Sequence, residues 1–349
     1  MSADPTKLKV VRQQSRSDIL FCVARVPGST VGFVGSSDAK VYTVDLAAEK
    51  PEPKEVAAHG SYVTGLALTE KYVISGGYDH QLIWTDRESW KPVRTVGAHE
   101  RWIRQVVASP DRKVVASIAD DMVCRLWDVA SGKRLQELRG HEAVTPHHYP
   151  SMLYACAFSA DGKLLATGDK VGRVVIWDVA TGKEVTRLDA VGMYTWDPTQ
   201  RRHSIGGIRS VAFSPDGTKF IVGGMGKVGN IDHPDAPARL EIFDLAKRER
   251  THEVLADGKL KGMVEQLVFH PSGDWFVGAG GGYGGFVLFY DMKANKILFQ
   301  DTAPMRVHGL VANEACDTLF AAGHNKLITW ELKTAESKAD AEKKPSIAG

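Results

Sequence analysis

The sequence predicts an all-β chain folded as a seven-bladed β-propeller of four-stranded antiparallel blades, and three observations carry that expectation. One is a repeated ending, since WDVASGK at Trp127 to Lys133 recurs as WDVATGK at Trp177 to Lys183. Another is spacing: the residues equivalent to Asp128 are Asp45, Asp86, Asp178, Asp244, Asp291 and Glu331, with successive gaps of 41, 42, 50, 66, 47 and 40. The third is strand content. The third unit holds the runs WIRQVVAS, KVVASIA, MVCRLWD and RLQELRG, each rich in β-branched residues and bounded by turn residues. A period of about 40 residues with four short strands per unit marks a propeller.

Taken in order within each unit, the strands are a, b, c and d. The a to b turn is spelled SPDR at Ser109 to Arg112, SADG at Ser159 to Gly162, SPDG at Ser214 to Gly217 and HPSG at His270 to Gly273. Proline presets φ at the second turn position, Asp or Ser bonds the local backbone, and Gly accepts positive φ, so the spelling follows from turn chemistry.

With these endings, these turns and a His ahead of strand a, the chain resembles the WD40 repeat family over residues 7 to 332. The resemblance implies hydrogen-bonded tetrads where residues match: His59, Ser75, Asp79 and Trp84 in the second unit, His99, Ser117, Asp121 and Trp127 in the third. In such a chain Asp bonds His, His meets the Ser hydroxyl, and Ser accepts from the indole N–H, each bond contributing about 1 kcal/mol net. These residues read as framework rather than as a catalytic triad. In the fourth unit Trp177 and Thr167 remain but Val171 stands at the Asp position; Phe243 and Tyr290 replace Trp in the fifth and sixth, and His324 replaces Asp in the seventh. Apolar packing is expected to hold those blades.

Strand counting predicts how the ring closes. The seventh unit is one strand short after Trp330, and LKVVRQ at Leu8 to Gln13 is one strand too many before the first unit, so it supplies the outer strand of the last blade. That leaves one propeller domain over 7–332, an N-terminal extension over 1–6 and a polar tail over 333–349 that reads as disordered.

The totals narrow the function. Of 349 residues 44 are basic and 42 acidic, and a formal net charge of +2 gives no whole-chain field for nucleic acid or an anionic membrane. The start carries no secretory pattern and no run suits a membrane helix, so the chain reads as cytoplasmic. Cys22, Cys124, Cys156 and Cys316 form no CxxC pair, which predicts neither a disulfide nor a thiolate metal site.

Function is expected where the repeat is broken. The insertions lie at His141 to Ser151, Asp189 to Gly206 and Met225 to Ala238, all of a connection type that emerges on the top face around blades 4 and 5. Loops of this length in a compact domain are usually functional, and these hold Tyr149, Met193, Tyr194, Trp196, Arg201, Arg202 and His203, residue types that anchor interfaces. The same aromatics could instead pin each loop onto the propeller. The family's partner-facing positions map here to Tyr62, Thr64, Tyr78, Trp102, Arg104, Asp120, Met152, Tyr154, Arg209, Met263, Glu265, Arg306 and His308.

Sharper chemistries are weaker. His141, His147, His148, His203 and His233 could converge on a metal with Asp197 or Asp232, but none has the spacing that fixes two ligands on one element. GAGGGYGG at Gly278 to Gly285 lacks a following helix and a Lys, and so reads as a hairpin rather than a phosphate cradle. Asp120 and Glu265 are the only acids at the top-lining positions and lie three blades apart, which gives a hydrolase little to work with. The expectation is a non-enzymatic scaffold without cofactor or metal, a monomeric propeller within a complex, binding a protein or peptide through Tyr62, Tyr78, Trp102, Arg104, Tyr154, Tyr194, Trp196, Arg201, Arg209 and Arg306. The alternative is a metal-dependent or hydrolytic propeller enzyme that uses the His-bearing loops.

Overall fold

A computed structural model describes residues 3–198, 202–229, 232, 235–256, 258 and 260–334. Apart from one 3-10 turn at Val191–Met193, the regular structure among these residues is all strand. No helix among them is long and apolar enough to cross a membrane. Five antiparallel sheets have four strands each, in sequential order from the axis outward; the second blade, for example, runs Val63–Leu68, Tyr72–Gly77, Gln81–Asp86 and Pro92–Gly97.

The remaining blade-type sheet has six strands, so the separate sheets of this kind number six where the sequence predicts seven blades. Two long strands explain the difference. In Ala3–Arg25, residues 8–15 pair with 326–332 while residues 20–25 pair with Val31–Ser36. Thr318–Thr334 turns back at Asn325, where φ is 57°, and the Leu332 N–H reaches the Asp317 carbonyl at 2.8 Å. That one sheet therefore holds the first and last units together. Seven inner strands follow one another around the axis, and the last, Val307–Ala312, lies beside residues 20–25 of the first.

The core is distributed in the same way, because each sheet buries its faces against its neighbours. Seven apolar clusters lie between successive units. Phe33 and Val63 lie between the first and second, Trp84 and Trp127 between the second and third, Cys124 and Trp177 between the third and fourth, and Met193 and Phe220 between the fourth and fifth. The series continues with Ile221 and Phe276, then Phe289 and Trp330, and closes with Leu20 and Phe320 between the last unit and the first.

At the axis the inner strands come close. A Cβ on Gly65 would lie 2.5 Å from the Val106 nitrogen, so no larger residue fits there without a shift. Where a side chain is present it bonds across: Gln105 accepts from the Cys156 N–H at 2.7 Å, Ser210 donates to the Val264 carbonyl at 2.8 Å, and Gln266 donates to the His308 carbonyl at 2.9 Å.

The turns behave as their spelling requires. Ser109, Ser159 and Ser214 each donate to the Asp two residues on, at 2.6, 2.7 and 2.6 Å, and Gly162, Gly217 and Gly273 have φ of 72°, 70° and 75°. The Asp of each WD ending is likewise a turn former, since Asp128 and Asp178 accept the backbone N–H of Ser131 and Thr181 at 2.7 and 2.8 Å.

Several expectations need correction. Residues 3–6 belong to the closing strand rather than to an extension: Ala3 pairs with Thr334 and is buried in the cluster around Trp330. The last strand likewise continues to Thr334, and residues 335–349 of the expected tail lie outside the described residues. The third unit's tetrad forms as expected, with His99 Nε2 to Ser117 at 2.8 Å, His99 Nδ1 to Asp121 at 3.0 Å and Trp127 Nε1 to Ser117 at 2.9 Å. The second is only a triad. His59 meets Asp79 at 3.0 Å and Ser75 at 2.8 Å, but Trp84 donates to the Val129 carbonyl at 3.1 Å.

Register is the cause. Ser117 pairs with Arg125 and Ser75 with Ile83, so Trp127 lies two residues beyond its serine's partner and Trp84 only one, on the opposite face. Thr85 occupies the tetrad position there, and its buried hydroxyl has no partner among the described residues. The fourth unit departs in the other direction, because its tetrad is complete. Asp169, two residues before Val171, bonds His141 at 2.8 Å, and Thr167 joins His141 at 2.8 Å and Trp177 at 2.9 Å.

A double-mutant cycle on unfolding free energy separates the two arrangements. Ser117→Ala with Trp127→Phe is expected to show a coupling of about 1 kcal/mol, whereas Ser75→Ala with Trp84→Phe is expected to be additive within about 0.5 kcal/mol.

Candidate functional site

The candidate site is built at the top of the inner strands by a repeated irregularity. The pairing of strand a with strand b skips one residue between Leu20 and Cys22, Val63 and Gly65, Ile103 and Gln105, Leu153 and Ala155, Val264 and Gln266, and Val307 and Gly309. A bulge of this kind takes a residue out of the ladder and re-aims its side chain. The residues so released are Phe21, Thr64, Arg104, Tyr154, Glu265 and His308. In blade 5 Arg209 holds the equivalent place, immediately before Ser210–Phe213. The b to c turn is tied beside it in four blades, where the backbone N–H of Tyr78, Asp120, Lys170 and His324 donates to Tyr62, Trp102, Met152 and Arg306 at 2.9, 3.1, 2.9 and 3.1 Å.

These residues surround a cavity of about 410 Å³ at the channel mouth, lined among others by Phe21, Tyr78, Arg104, Tyr154, Arg209, Glu265, Arg306 and His308. One arc is aromatic. Phe21 lies 5.5 Å from Tyr62, Tyr62 lies 5.6 Å from Tyr78, and Tyr78 stacks on Trp102 at 4.4 Å with planes 3° apart. Tyr62 and Trp102 keep 45% and 47% of their surface exposed, so the ladder presents apolar faces to solvent.

Arg104 ends that arc. Its guanidinium lies 5.1 Å from the Tyr78 ring centre and 5.5 Å from those of Trp102 and Tyr154, and it forms a bidentate pair with Asp120 at 2.7 and 2.6 Å. Burial opposes its charge, but the Asp120 bonds prevail and its pKa is raised. Arg209 lies 3.6 Å above the Tyr154 ring, with its Nε 2.9 Å from the Met263 sulfur. Burial pushes the Tyr154 hydroxyl up, yet the charges of Arg209, Arg104 and Lys170 bring it below the usual phenol value.

The opposite arc is charged and closed on itself. Glu265 bonds Arg306 at 2.9 Å and His308 at 2.9 Å, and His308 Nε2 meets His324 Nδ1 at 3.0 Å. Burial disfavours the Glu265 carboxylate, but His308 and Arg306 override it and hold the group down to about 2. Burial, with His308 and Arg306 nearby, lowers His324.

The loops of blades 4 and 5 make a second cluster. His147 stacks on Trp196 at 4.2 Å with planes 8° apart and bonds the Tyr194 hydroxyl at 3.0 Å, while Tyr149 lies 5.4 Å from Trp196. Tyr194–Asp197 and His203–Gly206 form a two-stranded hairpin, and the Val228 N–H donates to Thr195 at 3.1 Å. The loops are therefore pinned to one another.

The structure thus groups Tyr62, Tyr78, Trp102, Arg104, Tyr154, Arg209 and Arg306 around the mouth, and puts Tyr194 and Trp196 in the separate loop cluster. Arg201 and His233 lie outside the described residues. His141 is committed to the fourth tetrad and His147 to Trp196 and Tyr194, which separates the expected imidazole ligands. Among the described residues no group of three or more His, Cys, Asp or Glu could hold a metal ion. Phe21, Lys170 and His324 were not foreseen at the mouth. Phe21 stands at the offset of Thr64 and Lys170 at that of Asp120, so the repeat itself held the signal.

The family described as WD domain, G-beta repeat matches residues 90–128, 132–178 and 196–228. Eukaryotic translation initiation factor 3 subunit I of Candida albicans is 27% identical over 227 residues, 63% of this chain and 55% of that protein. Guanine nucleotide-binding protein subunit beta of Oryza sativa subsp. indica is 30% identical over 155 residues, 44% of this chain and 38% of its own. Human WD repeat and SOCS box-containing protein 1 is 38% identical over 97 residues, 28% of this chain and 20% of its own. The chain thus spans about half the length of the first of these relatives and less of the other two.

Acid titration tests the charged arc. With a folded value of about 2 against an ordinary 4.5, ionised Glu265 contributes stability that is fully present above about pH 4.5 and lost as pH falls toward 2. Its share is on the order of 3 kcal/mol. Glu265→Gln is expected to flatten the fall in urea midpoint over that window and to lower stability at neutral pH by leaving Arg306 and His308 without their partner.

Proposed function

Because the chain belongs to the WD40 repeat family, a family of interaction scaffolds rather than enzymes, we propose that it binds an extended segment of a partner protein at the mouth of its central channel. The observation that carries this reading is the ladder of exposed Tyr62, half-buried Tyr78 and exposed Trp102 running into Arg104, Tyr154 and Arg209 around an open cavity. Aromatic and Arg side chains supply most of the energy at protein interfaces, because they bury large areas while keeping a polar handle. Asp120 orients Arg104 and leaves its planar face toward the rings, so the ladder is pre-organised before a partner arrives.

The pinned loops of blades 4 and 5 form a wall beside the mouth, with half-buried Tyr194 and Trp196 as secondary contacts. Arg201 belongs to the same proposed wall on sequence grounds. That two of the relatives carry the word subunit in their names supports a protein partner. Each acid at the mouth is engaged by an arginine, which favours binding over acid–base chemistry.

Affinity capture from the native cell with the wild-type chain and two variants tests this. Trp102→Ala with Tyr62→Ala is expected to reduce retention of the co-purifying partner by tenfold or more, about 1.4 kcal/mol or above, and Trp196→Ala to have a smaller effect. Undiminished retention by the double variant, with an unchanged thermal melt, would sink the assignment.

A further inference from the structure

The charges at the channel mouth are unevenly matched. Arg104 is paired with Asp120 and Arg306 with Glu265. Arg209 has no carboxylate partner among the described residues; its contacts are the face of Tyr154 and the sulfur of Met263. Lys170, on the b to c turn of blade 4, is only 7% exposed and likewise has no ion pair among the described residues. Cations held in a recess without a counter-charge are disfavoured unless something supplies it.

Tyr154 lies in the field of the same cations. A phenol sinking into a protein ordinarily becomes harder to ionise, yet here Arg209, Arg104 and Lys170 overcome burial and make it easier. The field at that hydroxyl therefore stabilises negative charge. The guanidinium of Arg209 is fixed against the ring, which holds its planar edge in one orientation, the arrangement that receives a carboxylate or phosphate bidentately. A cavity of about 410 Å³ admits a few side chains of an extended segment, not a folded domain.

We infer that the Arg209 side of the channel mouth is an anion-recognition subsite, in which Arg209 receives a carboxylate or phosphate carried by the bound segment and the buried charge of Lys170 strengthens the field there. This rests on the partner-binding reading above and gives that partner a chemistry: an acidic or phosphorylated peptide. The aromatic ladder would grip the flanking residues, and the anion would set the register.

The test uses the immobilised full chain and three pools of short peptides with randomised flanks, fixed at the centre as Glu, phosphoserine or Gln. Preferential retention of the Glu pool or the phosphoserine pool over the Gln pool is expected, and the better of the two identifies the source of the anion. Arg209→Gln should reduce that preference by about ten- to a hundredfold and Lys170→Gln by less, and Arg209→Lys should retain part of it. Lys183→Gln, at an exposed position in the c to d turn of blade 4, should leave it unchanged. Equal retention of all three pools, or a preference that survives Arg209→Gln, overturns the subsite. If the Gln pool is held equally well and lost only in Trp102→Ala, partner binding stands without the anion. If no pool is retained, both readings fall.

Discussion

The bulge at the head of each inner strand is the constraint from which the site follows. Around the axis the strands approach so closely that the residue after each bulge is small, as at Gly65, Ala155 and Gly309, or carries a side chain that bonds the adjacent backbone, as at Gln105, Ser210 and Gln266. The residue released by the bulge leaves the strand ladder and turns to the mouth. Architecture therefore fixes where seven side chains project, and leaves their identity free to vary. A substitution at Gln105 disturbs the contact between blades 3 and 4; one at Arg104, a single residue earlier, alters the surface offered to a partner.

Much of this was legible in the sequence because repetition exposes what a single unit hides. The period, the turn spellings and the missing strand in the last unit predicted the propeller and its closure, and residues 8–15 pair with 326–332. Sequence reading failed where a one-residue register decides the face. The sequence points to Trp84 for the second tetrad, but the pairing of Ser75 with Ile83 places Thr85, not Trp84, on the serine's face. It failed again where a different residue performs the same task, since Asp169 reaches His141 from inside strand b while Val171 fills the expected position. Side-chain reach is not written in an alignment of positions.

The inserted loops were a harder problem. Their aromatics signalled either an interface or a packed loop, and composition cannot separate the two because both need large rings. The stacking of His147 on Trp196 makes packing part of the answer. What no composition count could supply is that Tyr194 and Trp196 lie apart from the ladder of Tyr62, Tyr78 and Trp102. The candidate contacts that looked like one list form two separate clusters.

Pinning and electrostatics meet at blades 4 and 5. On the far arc, Glu265 is saturated by Arg306 and His308, so that side offers little net charge to a ligand. On the near arc Asp120 answers only Arg104, and the excess positive charge lies beside Tyr154, next to the loops that the aromatic cluster holds in place. A flexible wall beside an uncompensated charge would let water and salt screen it; a rigid, partly apolar wall keeps the local dielectric low and the field strong. The breaks in the repeat and the imbalance of charge thus fall in the same sector of the ring.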